Sequence, residues 1–363
     1  FFFFLLYTIN NKILNMSEET FTAWACKSKS APLEPMEMTF CHWDEDMVQM
    51  DVICCGVCGT DIHTVDEGWG PTEFPCVVGH EIIGNVTKVG KNVQRIKVGD
   101  RCGVGCQSAS CGKCDYCKKG MENLCSTHAV WTFNDRYDNA TKDKTYGGFA
   151  KKWRGNQEFV VKVPMEFSPE VAASFLCGGV TTYAPLKRYN VGKGSKVAVL
   201  GLGGLGHFGV QWAKAMGAEV VAFDVIPDKV DDAKKLGCDD YVLMQKEEQM
   251  EPHYNTFTHI LATKIVNKCW DQYFKMLKNN GIFIQCDIPE VPLSGISGFI
   301  MAGKQLTIAG SFIGSPSVIQ ECLDFAAEHN VRTWVNTFPM EKINEAFEFV
   351  RQTKPRYRAV VMN

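Results

Sequence analysis

Three residues far apart in the chain are of the types that hold a reactive metal. Cys58 stands in CGVCGTDIH (55–63), His80 in GHEIIG (79–84) and Cys177 in FLCGGVTTY (175–183). Two thiolates and one imidazole form the catalytic pattern of zinc, with one tetrahedral position left open. This set leaves Zn²⁺ formally neutral and still a Lewis acid. An alcohol there loses its proton more easily, and an aldehyde is polarised for hydride attack. Singly, each residue has a plainer reading. A free cysteine is usually a small buried hydrophobe, and a lone histidine is usually a hydrogen-bonded core or surface residue. The three together, with the Gly79-His80-Glu81 step, favour the metal. Just past Cys58, Thr60 and His63 supply a hydroxyl and an imidazole that can pass a proton to water. Glu81 can orient the site or briefly approach the metal, and Asp61 can hydrogen-bond backbone or a ligand histidine.

A second set lies between His80 and Cys177. Residues 111–125 read CGKCDYCKKGMENLC, with Cys111, Cys114, Cys117 and Cys125 spaced C-x2-C-x2-C-x7-C. Four thiolates close a tetrahedral zinc and leave no position for substrate, so this site is structural. Gly112, Gly120 and the three lysines around them suit a tightly wound surface loop. A nucleic-acid-binding zinc ribbon would want a basic chain. The net charge is −3 and the isoelectric point about 6.3.

A third constellation binds phosphate. In KVAVLGLGGLG (196–206) a short apolar strand runs into Gly201, Gly203, Gly204 and Gly206. The glycines allow a tight turn and close approach to a pyrophosphate, and the next helix, about 205–216, offers its N-terminus to the anion. A second strand, Glu219–Phe223, leads to Asp224, 18 residues after Gly206. A carboxylate there accepts from the ribose hydroxyls and opposes a 2′-phosphate, which favours NAD over NADP.

These residues need a frame. Past Asp224 the pattern predicts a helix at 228–236, strands at 241–244 and 259–263, a helix at 267–278, and strands at 281–286 and 305–310. Alternation of this kind implies a doubly wound parallel sheet. Its edges fall near 178 and 315. The expected division is a dinucleotide-binding domain over 178–315 and a metal-binding domain over 16–177 plus 316–363, with the active site in the cleft between them. A chain of 363 residues fits about two domains. Its 17 cysteines are odd in number and clustered, which points to metal ligands and buried thiols rather than disulfides. Residues 1–15, FFFFLLYTINNKILN, are too short an apolar run to span a bilayer and lack the flanks of a signal peptide. They are expected to be leader or disordered tail. No membrane or nucleic-acid partner is expected.

The chain is similar to the zinc-dependent medium-chain alcohol dehydrogenases, most of all to the cinnamyl alcohol dehydrogenase and broad-range aldehyde reductase type. GVCGTDIH, PCVVGHEIIG, KVGDRCGVGCQSASCGKCDYCKKG, YGGFA, LCGGVTTY, GLGGLGHFG, GSFIGS and RYRAVV carry the resemblance over about residues 20–363. It implies a mostly β, GroES-like catalytic domain beside the Rossmann domain, and two Zn²⁺ per chain. The catalytic ligands fall on Cys58, His80 and Cys177 with Glu81 as alternate, and the structural ligands on the four clustered cysteines. The relay falls on Thr60 and His63, the phosphate loop on Gly201–Gly206, and Arg358 near the cofactor pyrophosphate. Trp69 and Trp131 are candidate pocket walls. A homodimer in the cytoplasm and a small alcohol or aldehyde substrate are implied. Relatives of this type carry serine where Asp224 stands and prefer NADPH, so the aspartate, with only Lys229 nearby as a cation, departs from the family habit. A polyol or secondary-alcohol dehydrogenase of the same superfamily is the alternative, and a non-enzymatic dinucleotide-binding protein the remoter one.

Overall fold

The computed structural model describes residues 19–264, 270–288 and 295–363. The leader expected at 1–15 and the first turn of the helix expected at 267–278 lie outside them. Six parallel strands form one sheet. From edge to edge they are Asp240–Leu243, Glu219–Asp224, Lys196–Leu200, Phe257–Ala262, Leu277–Gln285 and Thr307–Gly310. The order reverses between Lys196–Leu200 and Phe257–Ala262, and the crevice at the carboxyl ends of such strands is where a dinucleotide binds. Val197, Ala198, Val199 and Leu200 are buried in succession, as expected of a strand covered on both faces.

The second sheet has seven strands. Met47–Val57 is its centre, pairing antiparallel with Ile82–Val89, with Lys152–Asn156 and with the last strand, Arg358–Met362. Arg101–Val104 and Val160–Lys162 extend it on one side, and Val335–Pro339 lies parallel to Arg358–Met362 on the other. Strands of this sheet thus come both before and after the parallel one in the chain, while Thr20–Cys26 and Leu33–Thr39 pair as a separate two-stranded sheet.

Helix Gly178–Arg188 joins the two. It packs against helices Gly206–Ala215 and Pro316–Glu328, in a core that takes Cys54 and Ile83 from one sheet and Val197 and Val199 from the other. Phe175, Phe208 and Trp212 fill that seam, with the Phe175 and Phe208 rings 4.9 Å apart. Burying each such side chain stabilises by roughly 1.5–3 kcal/mol. The Trp212 indole N–H donates to the Gly179 carbonyl at 3.0 Å and so pins the helix start beside Cys177.

The elements differ from expectation mainly at their ends. The segment at 228–236 opens as a tight turn, Pro227–Lys229, before the α-helix Val230–Lys235, because proline at the first position favours that start. The strand expected at 281–286 begins at Leu277, directly after helix Trp270–Met276, with a register shift against Phe257–His259. Helix Gly298–Lys304, which the sequence pattern did not signal, shortens the last strand to Thr307–Gly310.

Candidate active site and metal centres

Strand Met47–Val57 delivers Cys58 to the N-cap of the short helix Gly59–Val65. Cys177 caps helix Gly178–Arg188 in the same manner. His80 and Glu81 precede strand Ile82–Val89. The ligand atoms of Cys58, His80, Glu81 and Cys177 all lie within 4.8 Å of one another. His80 Nδ1 is 2.9 Å from Asp61 Oδ1, which also accepts from the Gly79 N–H at 2.9 Å. Asp61 Oδ2 accepts from the Cys58 N–H at 2.8 Å. One fully buried carboxylate thus ties two of the three expected ligands together. It fixes the proton on Nδ1 and leaves Nε2, buried and without a hydrogen-bond partner, facing the other donors. The sequence had left Asp61 with two options; it takes both.

Glu81 is fully buried. One oxygen pairs with Arg358 Nη2 and the other has no partner. Burial pushes its carboxyl up to about 8, against the opposing pull of Arg358. A Cβ on Gly56 would come within 1.9 Å of that second oxygen, so only glycine fits there. Cys58 is held well below the usual thiol range, first by hydrogen bonding to Cys177. Orphaned donors, a depressed thiol and a carboxylate-oriented histidine fit a resident cation.

Thr60 Oγ1 lies 3.8 Å from Cys58 Sγ, and His63 follows three residues on, on the same helical face. The His63 ring stacks on Trp69 at 4.3 Å and 16°. Phe133 lies 5.6 Å from the His80 ring, and Trp131 meets Phe312 edge-on at 5.6 Å.

The four clustered cysteines form the second group of donors. Their described sulfur contacts are 3.5–3.9 Å, against ~3.8 Å between tetrahedral thiolates at a zinc–sulfur distance of about 2.3 Å. The Cys114 N–H points to Cys111 Sγ at 3.3 Å and the Cys117 N–H to Cys114 Sγ at 3.5 Å. The second of these is the main reason the Cys114 thiol falls to about 5.

At the phosphate loop, Gly201 sits at φ +85°, and a Cβ on Gly206 would lie 1.7 Å from the Gly201 carbonyl oxygen. Gly203 faces open space, and the Arg358 guanidinium lies against Gly204. Arg358 therefore stands between the loop and Glu81. Asp224 ends its strand almost fully buried and is not uncompensated. It accepts from the Leu202 N–H at 2.6 Å and the Ile226 N–H at 3.0 Å, and pairs with Lys229 at 3.0 Å.

Two residues escaped the sequence reading. His207 is buried, with Nδ1 3.0 Å from the Gly203 carbonyl, Nε2 2.7 Å from Thr333 Oγ1 and its ring stacked on Tyr357. The second is Cys106. Cys26, Cys41, Cys54, Cys55, Cys76, Cys102, Cys238, Cys286 and Cys322 do lie in or against apolar clusters. Cys106 belongs to none.

A parallel nucleotide-type sheet, a mixed antiparallel sheet and a two-thiolate, one-imidazole pocket at their seam define a metal-using dehydrogenase. Residues 44–165 match the alcohol dehydrogenase GroES-like domain and residues 204–328 the zinc-binding dehydrogenase family. The chain is 39% identical over 343 residues to an NADP-dependent alcohol dehydrogenase C of Mycolicibacterium smegmatis, covering 94% of this chain and 97% of that one. It superposes on a cinnamyl alcohol dehydrogenase of Sorghum bicolor with a TM-score of 0.89 at 33% identity, over 95% of this chain and 98% of the other. The Helicobacter pylori cinnamyl alcohol dehydrogenase complexed with NADP(H) gives 0.86 at 30%, over 94% and 98%. The chain belongs to the zinc-binding alcohol dehydrogenase family, whose members interconvert alcohols and aldehydes, and it has that family's GroES-like and Rossmann halves.

Proposed function

We propose that this chain is a zinc-dependent, nicotinamide-dependent oxidoreductase of primary alcohols and aldehydes. The carrying observation is the convergence of half-buried Cys58 with buried His80 and Cys177 beside the phosphate loop. When bound, zinc supplies a Lewis acid and the nicotinamide supplies or accepts the hydride. The chain does the rest. Cys58, His80 and Cys177 would hold the catalytic ion, Asp61 orients His80, and Arg358 restrains Glu81. Thr60 and His63 move the hydroxyl proton outward. Phe133, against the His80 ring, and Trp131, edge-on to Phe312, would supply aromatic walls suited to an unsaturated or aryl aldehyde. Cys111, Cys114, Cys117 and Cys125 would hold a second, structural ion. The two lobes, 16–177 with 316–363 and 178–315, would be the two domains, with the active site in the cleft between them. A homodimer fits Thr307–Gly310 as the edge strand among the described residues, and the exposed Phe299 in the helix before it. Among the described residues no helix is long and apolar enough to cross a membrane.

Asp224 favours NAD, because a carboxylate at that strand end accepts from ribose hydroxyls and opposes a 2′-phosphate. A second reading, NADP, has its own support: Lys229 already neutralises the carboxylate, and relatives are named for NADP. The test is the initial rate of cinnamaldehyde reduction by zinc-replete protein with NADH and NADPH side by side. Faster turnover with NADH is expected. Faster turnover with NADPH would overturn the role of Asp224 and keep the enzyme. No rate with either, on a panel including aliphatic aldehydes, sorbitol and secondary alcohols, would overturn the activity.

A further inference from the structure

We infer that Asn123 is a positioning residue for the substrate pocket: from the four-cysteine loop it holds the backbone that carries Phe312, and so sets that ring against Trp131. The inference rests on the aromatic walls proposed above. Asn123 lies in the tight turn Glu122–Leu124, between Cys117 and Cys125. Its Nδ2 donates to the Phe312 carbonyl at 2.9 Å, across 189 residues of chain. The same turn holds the other wall. The Glu122 carbonyl accepts from the Cys125 N–H at 3.0 Å and from Gln107 Nε2 at 2.8 Å. Gln107 stands opposite Trp131 where strands Gln107–Ala109 and Val130–Trp131 pair. Trp131 and Phe312 then meet edge-on at 5.6 Å and 89°. One tight turn thus reaches both rings, one through a strand pair and one through an amide.

The Phe312 side is the one that needs a hold. Before it, the Ser311 N–H donates to the Gln285 carbonyl at 3.2 Å. After it, a Cβ on Gly314 would come within 2.4 Å of Val180 Cγ2, so the chain there is pressed onto helix Gly178–Arg188. Between these anchors Phe312 is 42% exposed and Ile313 sits at φ +40°. A β-branched residue enters the left-handed region only where its surroundings impose it. The Asn123 amide is placed to do so, because it fixes the carbonyl of the peptide that joins Phe312 to Ile313. Released from Asn123, that peptide can rotate, Ile313 can return to negative φ, and the Phe312 ring turns away from Trp131. A plain stitch between two surface segments would make the same bond. It would not single out large substrates, and that difference is measurable.

The test compares two aldehydes on zinc-replete protein at saturating cofactor. Cinnamaldehyde is long enough to meet the wall; propanal is not. Asn123→Asp keeps the shape and removes the donor, and Asn123→Ala removes the amide. In both, KM for cinnamaldehyde should rise about tenfold, the worth of one hydrogen bond. The turnover number should change less than about twofold, as for a loss of uniform binding, and KM for propanal should not move. Phe312→Ala should also raise KM for cinnamaldehyde, and Asn123→Asp placed on it should add nothing. Equal changes for both aldehydes, or a wild-type KM for cinnamaldehyde in the folded variants, would overturn the positioning role. Should propanal not turn over, the double variant decides, and a further rise in KM overturns it. If neither Phe312→Ala nor Trp131→Ala moves KM for cinnamaldehyde, the wall falls and the inference with it. If they move it and the Asn123 variants do not, only the role of Asn123 falls. No turnover of either aldehyde by the wild type would overturn the wall and the inference together.

Discussion

The four-cysteine loop gathers its donors within fifteen residues, at a part-exposed turn braced by its own backbone N–H groups. The pocket at Cys58, His80 and Cys177 draws its donors from three segments, the outer two 119 residues apart, with His80 and Cys177 buried and Cys58 half-buried at the seam of two sheets. The first is a local solution: the chain needs little more than the turn to make it. The second exists only when both sheets have formed, and Asp61, Arg358 and Trp212 are spent on holding its parts in place. On the proposed reading, the local site would stabilise a lobe, since four thiolates close a tetrahedral ion and leave no vacancy for chemistry. On the same reading, the assembled site would keep a position free because the fold brings its donors together.

This contrast is sharpest in paired substitutions. Cys58→Ser should lower kcat/KM by at least about 10³-fold, on the order of 4 kcal/mol of transition-state stabilisation, with the thermal midpoint little changed. Kinetics and melting on the same preparation test it, and a variant that melts early would place Cys58 with the structural set. Cys114→Ser should do the reverse. A zinc-supported loop stabilises its surroundings outright, so the midpoint should fall by at least several degrees, roughly 2–4 °C per kcal/mol for a chain of this size. An unchanged midpoint with lost activity would break the comparison. Asp61→Asn comes next. It keeps the shape around His80 and removes the charge that orients it, so metal affinity at the assembled pocket should fall about 10–100-fold. Competition against a chelator measures this. Affinity at the four-cysteine loop should not move, because Asp61 has no part in it.

What could be read from the sequence follows the same division. The four cysteines, the glycine loop and the strand–helix alternation are local patterns, and the structure brings each together as a unit. Cys58, His80 and Cys177 were legible because each stands in a distinctive short motif. Asp61 was half legible: its partners Gly79 and His80 are 18 and 19 residues away, and only the folded turn shows that it joins them. That Cys106 stands outside the apolar clusters was not legible at all, since one cysteine among seventeen carries no spacing signal. The partners of Asp224 were only partly legible for a related reason. Periodicity marks the end of a strand, but not the Leu202 N–H and the Lys229 ammonium that meet the carboxylate there. The early start at Leu277 reflects pairing with Phe257, a tertiary choice that local propensity does not encode.

The assembled pocket also depends on a contact the loop has no equivalent of. His207 hangs from the phosphate-loop helix and reaches Thr333 and Tyr357, in the segment that returns the chain to Arg358 and Glu81. Burial pushes its imidazole down to about 3, so it is neutral in the folded protein. The unfolded chain has a histidine near 6.5. Between those values the unfolded state binds a proton that the folded state refuses, so stability rises with pH across the window and is complete above it. The expected slope from this one group is at most about 1.4 kcal/mol per pH unit, and near pH 7 it vanishes, which makes this the smallest effect under ordinary conditions. His207→Gln carries amide groups in place of the ring and does not titrate. Urea unfolding of both proteins at steps from pH 7.5 to pH 4.5 removes the contribution of carboxylates they share. The wild type should lose ground to the variant steadily below about pH 6.5. A difference that stays flat would mean that water and protons reach His207 in the folded state. The long-range stitch would then be loose, and the assembled pocket would owe its geometry to Asp61 and the sheets alone.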